Sequence, residues 1–74
     1  MVISTPTILY EKRDGVGYIT LNRPDALNAI NRQLRGDLGK AISRFDEDQD
    51  AYVAIITGAG RAFCAGRDLK ERAE

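Results

Sequence analysis

The sequence predicts a mixed α/β fold in which two antiparallel strands lead into a helix and a third strand. Asp14-Gly15 separates two short strand-like segments and is a strong signal for a two-residue hairpin turn. Apolar residues recur at helical spacing in the middle of the chain. A continuous apolar run then precedes a glycine-rich segment, which favours a strand buried on both faces. We therefore expect the order strand, strand, helix, strand, glycine loop and short helix.

The first two strands are expected to form a hairpin. Residues 1–7, which contain Pro6, are expected to be an irregular lead-in, and residues 8–12 to form the first strand. Residues 16–21 form the return strand, which Pro24 ends. The alternation of this strand predicts two faces, with Ile19 and Leu21 on one and Val16, Tyr18 and Thr20 on the other.

The helix is expected to follow a loop at residues 22–30, with Asn31 as its N-cap. One apolar face is predicted for it, formed by Leu34, Leu38, Ala41, Ile42 and Phe45. The acidic run at residues 46–50 lacks the glycine turn and the spacing of a calcium loop, so we interpret it as the solvated end of the helix. Residues 53–57 form the third strand, which we expect to be buried on both faces.

Composition excludes several classes of protein and of site. Seventy-four residues form at most one small domain, and the formal net charge of zero favours neither a nucleic acid nor an anionic membrane as partner. No membrane-spanning run or signal peptide is recognised, so a reducing compartment, the cytoplasm or an organelle matrix, is the default location, and we expect the cytoplasm. Cys64 is the single cysteine and histidine is absent. An internal disulfide, a Cys/His zinc site, a Ser-His-Asp triad and a Cys-His dyad are therefore excluded within this chain, and we expect no metal.

The glycine loop that follows the third strand admits several interpretations. Gly58-Ala59-Gly60 after a strand suggests a dinucleotide fingerprint, but Phe63 occupies the position of the third glycine. No Walker sequence is present. A structural alternative is that Gly58, Gly60 and Gly66 simply turn the chain. The functional alternative is that small side chains let a ligand approach the backbone, where the unpaired N–H groups of a helix start suit an anionic oxygen.

Three segments carry a resemblance to one family. They are residues 63–71 (FCAGRDLKE), residues 17–24 (GYITLNRP) and residues 26–30 (ALNAI). The first closely resembles the oxyanion-hole segment of the enoyl-CoA hydratase/isomerase, or crotonase, family. The second is similar to that family's second strand and following turn, and the third to the loop that lines its coenzyme A site. The resemblance covers residues 8–73 and implies the N-terminal ββαβ part of a crotonase-like (ClpP/crotonase) spiral fold, which we expect to be incomplete here.

The resemblance also implies roles for particular residues. In this family two backbone N–H groups stabilise the enolate that forms on a thioester oxygen, and the first of these donors corresponds to the amide of Arg67. The Arg67 side chain is expected to lie solvated at the pocket rim. The resemblance assigns contacts with the coenzyme A thioester to a further set: Ala26, Leu27, Ala65, Gly66, Asp68 and Leu69.

Alternatives remain open at three positions. Asp68 also suits the N-cap of the short helix, and Ala26 and Leu27 also suit plain packing in the core. Cys64, between two apolar neighbours, is interpreted as an inert buried thiol rather than a nucleophile.

The family pattern extends past Glu74, so the second oxyanion donor and the proton-transferring carboxylates are not assigned in this chain. The expected activity is that of an enoyl-CoA hydratase (a lyase) or isomerase of fatty acid metabolism, with a coenzyme A thioester as substrate and no tightly bound cofactor. We expect the isolated chain to be inactive. Expected partners are an acyl-CoA and either the rest of the catalytic domain or further copies of the chain, since the family forms trimers and hexamers. The alternatives are a non-catalytic oligomerisation or regulatory remnant and a dinucleotide-binding fragment.

Overall fold

The computed structural model describes residues 2–66, which form a four-stranded sheet with one helix packed against it. The strands lie in the order β1-β2-β3-β4, with antiparallel pairing between β1, β2 and β3 and parallel pairing between β3 and β4. The elements are β1 (Val2–Ser4), β2 (Ile8–Arg13), β3 (Val16–Leu21), α1 (Arg32–Glu47) and β4 (Val53–Gly58), with a short 3₁₀ turn at Pro24–Ala26. The predicted mixed α/β order of two strands, helix and strand is confirmed.

The first strand corrects the prediction of an irregular lead-in at residues 1–7. Val2–Ser4 pairs antiparallel with β2, and the Ile3 side chain packs against the core. Thr5 closes the intervening turn, because its N–H donates to Ile8 O at 2.9 Å and its hydroxyl accepts from Ile8 N at 3.1 Å. Pro6 therefore lies in a turn between two strands, where the ladder requires no N–H from it.

The β2–β3 hairpin forms as predicted. Asp14 and Gly15 both have positive φ, at 51° and 79°, as a type I′ turn requires. The predicted alternation of β3 is also confirmed, since Ile19 and Leu21 are buried on the face that packs against α1. The buried core consists of Ile8, Tyr10, Ile19, Leu21, Leu34 and Ala41.

Helix α1 begins after the predicted cap, since Asn31 Oδ1 accepts a hydrogen bond from Leu34 N at 2.8 Å. Leu34 and Ala41 are buried, and Leu38 and Phe45 pack partly buried against the core. Ile42, predicted on the same face, is 45% exposed. It lies one residue beyond Ala41, at the margin of the apolar stripe. No helix within residues 2–66 has the length and apolar character needed to cross a membrane.

A buried carboxylate, which the apolar pattern did not predict, joins α1 to the start of β2. Asp37 is 3% exposed, and its Oδ2 accepts hydrogen bonds from the Thr7 hydroxyl at 2.7 Å and from Thr7 N at 3.3 Å. Gln33 Nε2 donates to the other oxygen at 2.9 Å. The bond from Thr7 holds the pKa of Asp37 below its ordinary value, because it stabilises the ionised form.

The acidic run ends the helix, and one of its members is not simply solvated. Asp48 is half-buried and forms an ion pair with Lys12 of β2, with 2.8 Å between Oδ2 and Nζ. Their hydrogen bond lowers the pKa of Asp48 and raises the pKa of Lys12. The remaining members of the run, Asp46, Glu47, Gln49 and Asp50, are exposed as expected.

Strand β4 corrects the prediction of burial on both faces. It lies parallel to β3, from Val16 opposite Val53 to Leu21 opposite Gly58. Val53, Ile55 and Ile56 are nevertheless 54%, 42% and 42% exposed. Since α1 packs over β2 and β3, no layer within the described residues covers either face of β4. The fold formed by residues 2–66 is therefore incomplete in its covering layers, as expected.

Candidate functional site

Two loops leave the same end of the sheet. The first loop, residues 22–30, follows β3, and the glycine loop, residues 59–66, follows β4. Because β3 and β4 are parallel and Leu21 lies opposite Gly58, both loops start side by side at the carboxyl ends of the strands. Ala59 N donates to Leu21 O at 2.8 Å, which extends the pairing into the glycine loop.

The far ends of the two loops are joined by backbone hydrogen bonds. Ala65 N donates to Leu27 O at 3.0 Å, and Ile30 N donates to Gly66 O at 2.7 Å. The structure therefore brings together three of the predicted site residues, Leu27, Ala65 and Gly66. They come from positions almost forty residues apart in the sequence.

Ala26 lies in the 3₁₀ turn of the first loop. Its N–H donates to Arg23 O, and its carbonyl accepts from Ala29 N, both at 3.0 Å. Leu27 N donates to Pro24 O at 3.1 Å. The backbone N–H groups of Ala26 and Leu27 are thus both used inside the turn.

The first loop contains two consecutive residues in the left-handed region, Leu27 at φ 51° and Asn28 at φ 56°. Asparagine tolerates this conformation, whereas for a leucine it costs on the order of 1–2 kcal/mol. Such strain persists only where surrounding contacts enforce it, and it clusters at functional sites. The bond from Ala65 N to Leu27 O is one of the contacts that enforce it here.

Asn28 was not predicted as a site residue, yet its side chain connects both loops. It is fully buried, at 0% exposure. Its Oδ1 accepts from Arg23 N at 2.7 Å, and its Nδ2 donates to Ala59 O at 2.9 Å and to Ala62 O at 2.8 Å. A sequence signal existed, since a lone asparagine among the apolar residues of 26–30 suits a left-handed position.

The glycines at the end of β4 and in the glycine loop have different surroundings. A Cβ on Gly58, the last residue of β4, would meet the backbone of Ala62 and Phe63, so the glycine loop folds back onto the end of the strand. Gly60 packs against Pro24 of the first loop. Gly66 has φ 98°, and no described atom lies within 4 Å of where its Cβ would be. Close approach of the loop backbone therefore accounts for Gly58, and a positive φ accounts for Gly60 and Gly66, while the position of a Cβ on Gly66 is open among the described residues.

Cys64 packs against the core but is only half-buried, so the expected burial of its thiol is met in part. Arg67, Asp68 and Leu69, together with the predicted short helix, lie outside the described residues.

A cavity of about 590 Å³ lies elsewhere, between α1 and the β1–β2 pair. Its lining includes Tyr10, whose buried hydroxyl has no hydrogen-bond partner among residues 2–66. None of the predicted site residues lines this cavity. We therefore place the candidate site at the two loops.

The chain is similar to proteins of known family in both sequence and structure. A sequence model of the enoyl-CoA hydratase/isomerase family matches residues 11–74. The chain is 50% identical over 68 residues to the probable enoyl-CoA hydratase echA8 of Mycobacterium tuberculosis, covering 92% of this chain and 26% of the relative. It is 40% identical over 65 residues to the 1,2-epoxyphenylacetyl-CoA isomerase of Escherichia coli, covering 88% of this chain and 25% of the relative.

Solved structures agree with the fold. A probable enoyl-CoA hydratase/isomerase from Mycobacterium abscessus superposes with a TM-score of 0.88 at 50% identity, covering 95% of this chain and 28% of that one. An enoyl-CoA hydratase from Mycobacterium tuberculosis also gives a TM-score of 0.88, at 46% identity, covering 93% and 27% of the two chains. The chain thus spans about a quarter of the length of the relatives it matches. With the family model matching most of its length, the chain belongs to the enoyl-CoA hydratase/isomerase, or crotonase, family.

Proposed function

We propose that this chain supplies the N-terminal part of an acyl-CoA thioester enzyme, an enoyl-CoA hydratase or isomerase of fatty acid metabolism. The observation that carries the proposal is the pairing of the two loops. Bonds from Ala65 N to Leu27 O and from Ile30 N to Gly66 O bring the two segments together directly before residue 67. In the proposal, the backbone N–H of Arg67 is one donor of an oxyanion hole.

The chemistry of the proposal requires stabilisation of an enolate. When negative charge moves onto the thioester oxygen, a backbone N–H held by its loop meets that charge without reorganising. One such donor contributes about 2.7–4 kcal/mol of transition-state stabilisation. Relatives are about four times longer than this chain, and the proposal places the second donor and the proton-transferring carboxylates in that additional length. The isolated 74-residue chain is accordingly expected to be inactive.

The coenzyme A part of the pocket is proposed to lie along both loops. Gly66 supports this placement, because no described atom occupies the space where its Cβ would be. The carbonyls of Ala26 and Leu27 each accept one backbone hydrogen bond and have a second lone pair that could bind a ligand. Asp68 and Leu69 are included on the resemblance of their segment to the family.

The wider setting of the proposal is a homo-oligomeric enzyme in the cytoplasm, with an acyl-CoA as its partner and no tightly bound cofactor. Relatives named as mitochondrial and peroxisomal enzymes show that the family occupies several compartments.

A pair of substitutions at one position tests the oxyanion donor. Arg67→Pro removes the backbone N–H, whereas Arg67→Ala removes only the side chain. In the complete product of the gene that encodes this chain, we expect Arg67→Pro to lower kcat for a short-chain enoyl-CoA by about 10²–10³-fold. The matched Arg67→Ala variant should keep activity within a few fold. Equal activity of the two variants, or no wild-type turnover of any acyl-CoA, would contradict the proposal.

A second candidate function is a non-catalytic oligomerisation or regulatory module. The exposed apolar faces of β4 favour it, since such faces associate with other polypeptide. Sedimentation and acyl-CoA turnover of the purified 74-residue chain test this alternative together. A monomeric chain would exclude the oligomerisation module, and a chain that turns over substrate would exclude any non-catalytic role.

A further inference from the structure

We propose that Asn28 is a positioning residue whose side chain fixes the glycine loop against the first loop, and so sets the approach of the chain to residue 67. This inference deepens the proposed function and rests on it for its catalytic consequence.

The side-chain amide of Asn28 matches its surroundings atom by atom. Both Nδ2 hydrogens are used, one on Ala59 O at 2.9 Å and one on Ala62 O at 2.8 Å. The opposite end, Oδ1, accepts from Arg23 N at 2.7 Å. With Asn28 at 0% exposure, no solvent replaces these bonds when the amide is removed. Only a side chain with two donors and an acceptor satisfies all three backbone groups.

The three partners lie at the points that determine the shape of the site. Arg23 precedes the 3₁₀ turn of the first loop, whereas Ala59 and Ala62 flank the turn of the glycine loop. Asn28 thereby ties the early parts of both loops, while the bonds of Leu27 and Ile30 to Ala65 and Gly66 tie their far ends. Loss of the Asn28 amide would leave the far ends of the loops joined. It would remove the two bonds that hold the turn between Ala59 and Ala62.

Two substitutions separate the side chain from the backbone conformation. Asn28→Asp keeps the shape but turns two donated bonds into contacts between a carboxylate and two carbonyl oxygens. Asn28→Gly removes the side chain yet accepts φ 56° without strain, so it remains informative if the aspartate variant fails to fold. Gln49→Glu, at an exposed position outside both loops, is the control for the change of an amide to a carboxylate.

The experiment compares these variants in the complete gene product by hydrogen–deuterium exchange and by steady-state kinetics with a short-chain enoyl-CoA. We expect both Asn28 variants to speed amide exchange in residues 59–66 by about tenfold or more, with the β2–β3 hairpin unchanged. We expect kcat to fall by on the order of 10²-fold while KM changes only a few fold. The reason is that the backbone N–H of Arg67, the proposed oxyanion donor, is displaced rather than removed. Gln49→Glu should match the wild type in both measurements.

Each outcome decides between the claims. Unchanged exchange in residues 59–66 would overturn the positioning role. Faster exchange with unchanged kcat would overturn its catalytic consequence. A wild-type protein without acyl-CoA turnover would defeat the proposed function, while the exchange comparison would still decide whether Asn28 holds the loops together.

Discussion

Replacing Gly58 by alanine tests whether the glycine loop needs its observed path. The added Cβ would clash with Phe63 O and would lie 2.5 Å from Ala62 O and 2.7 Å from Phe63 Cα. Ordinary van der Waals contact begins at 3.4 Å, so the loop backbone must move by about 1 Å. All three obstructing atoms are backbone, and no rotamer change relieves the clash. Overpacking of this kind costs about 1–3 kcal/mol of stability.

The same displacement predicts a loss of activity if the proposed function is correct. A misplacement of about 1 Å reduces catalysis on the order of 10²-fold, which equals about 2.7 kcal/mol at the transition state. The assay is kcat/KM for an enoyl-CoA, measured beside the urea midpoint of the same protein. Gly39→Ala is the matched control, because no described atom lies within 4 Å of the new Cβ and alanine favours the helix by about 1 kcal/mol. A Gly58→Ala protein as stable and active as the control would refute the reasoning.

Two further predictions concern the framework beneath the site. Leu34→Ala, at a fully buried position, should lower the free energy of unfolding in urea by about 2–5 kcal/mol. Ile42→Ala, at a half-exposed position, should change it by no more than about 1 kcal/mol. Equal losses would contradict the observed packing of α1. Asp37→Asn should destabilise the protein at pH 7. Since the pKa of Asp37 is lowered in the folded state, its contribution is present above the ordinary carboxyl pKa and is lost as the pH falls from there through the lowered pKa. The gap between wild type and variant should therefore close in acid, while the exposed Asp46→Asn control shows no gap.

Sequence patterns were sufficient where a local cause determines structure. The hairpin follows from the need for two positive φ values at Asp14 and Gly15, and the start of α1 follows from the Asn31 cap. Patterns were insufficient where the cause is distant. The pairing of residues 2–4 depends on an available edge of β2, and the burial of Asp37 depends on Thr7, thirty positions away.

By itself, the sequence determined the order of the elements, the hairpin, the helix cap and the segments that resemble the family, because each depends on neighbouring residues. Only the tertiary structure decided which of those residues meet. Parallel pairing of β3 and β4 places two distant loops side by side, and the buried amide of Asn28 bonds to both. The tertiary structure also decided the exposure of β4, because an apolar strand is buried only where another layer packs on it.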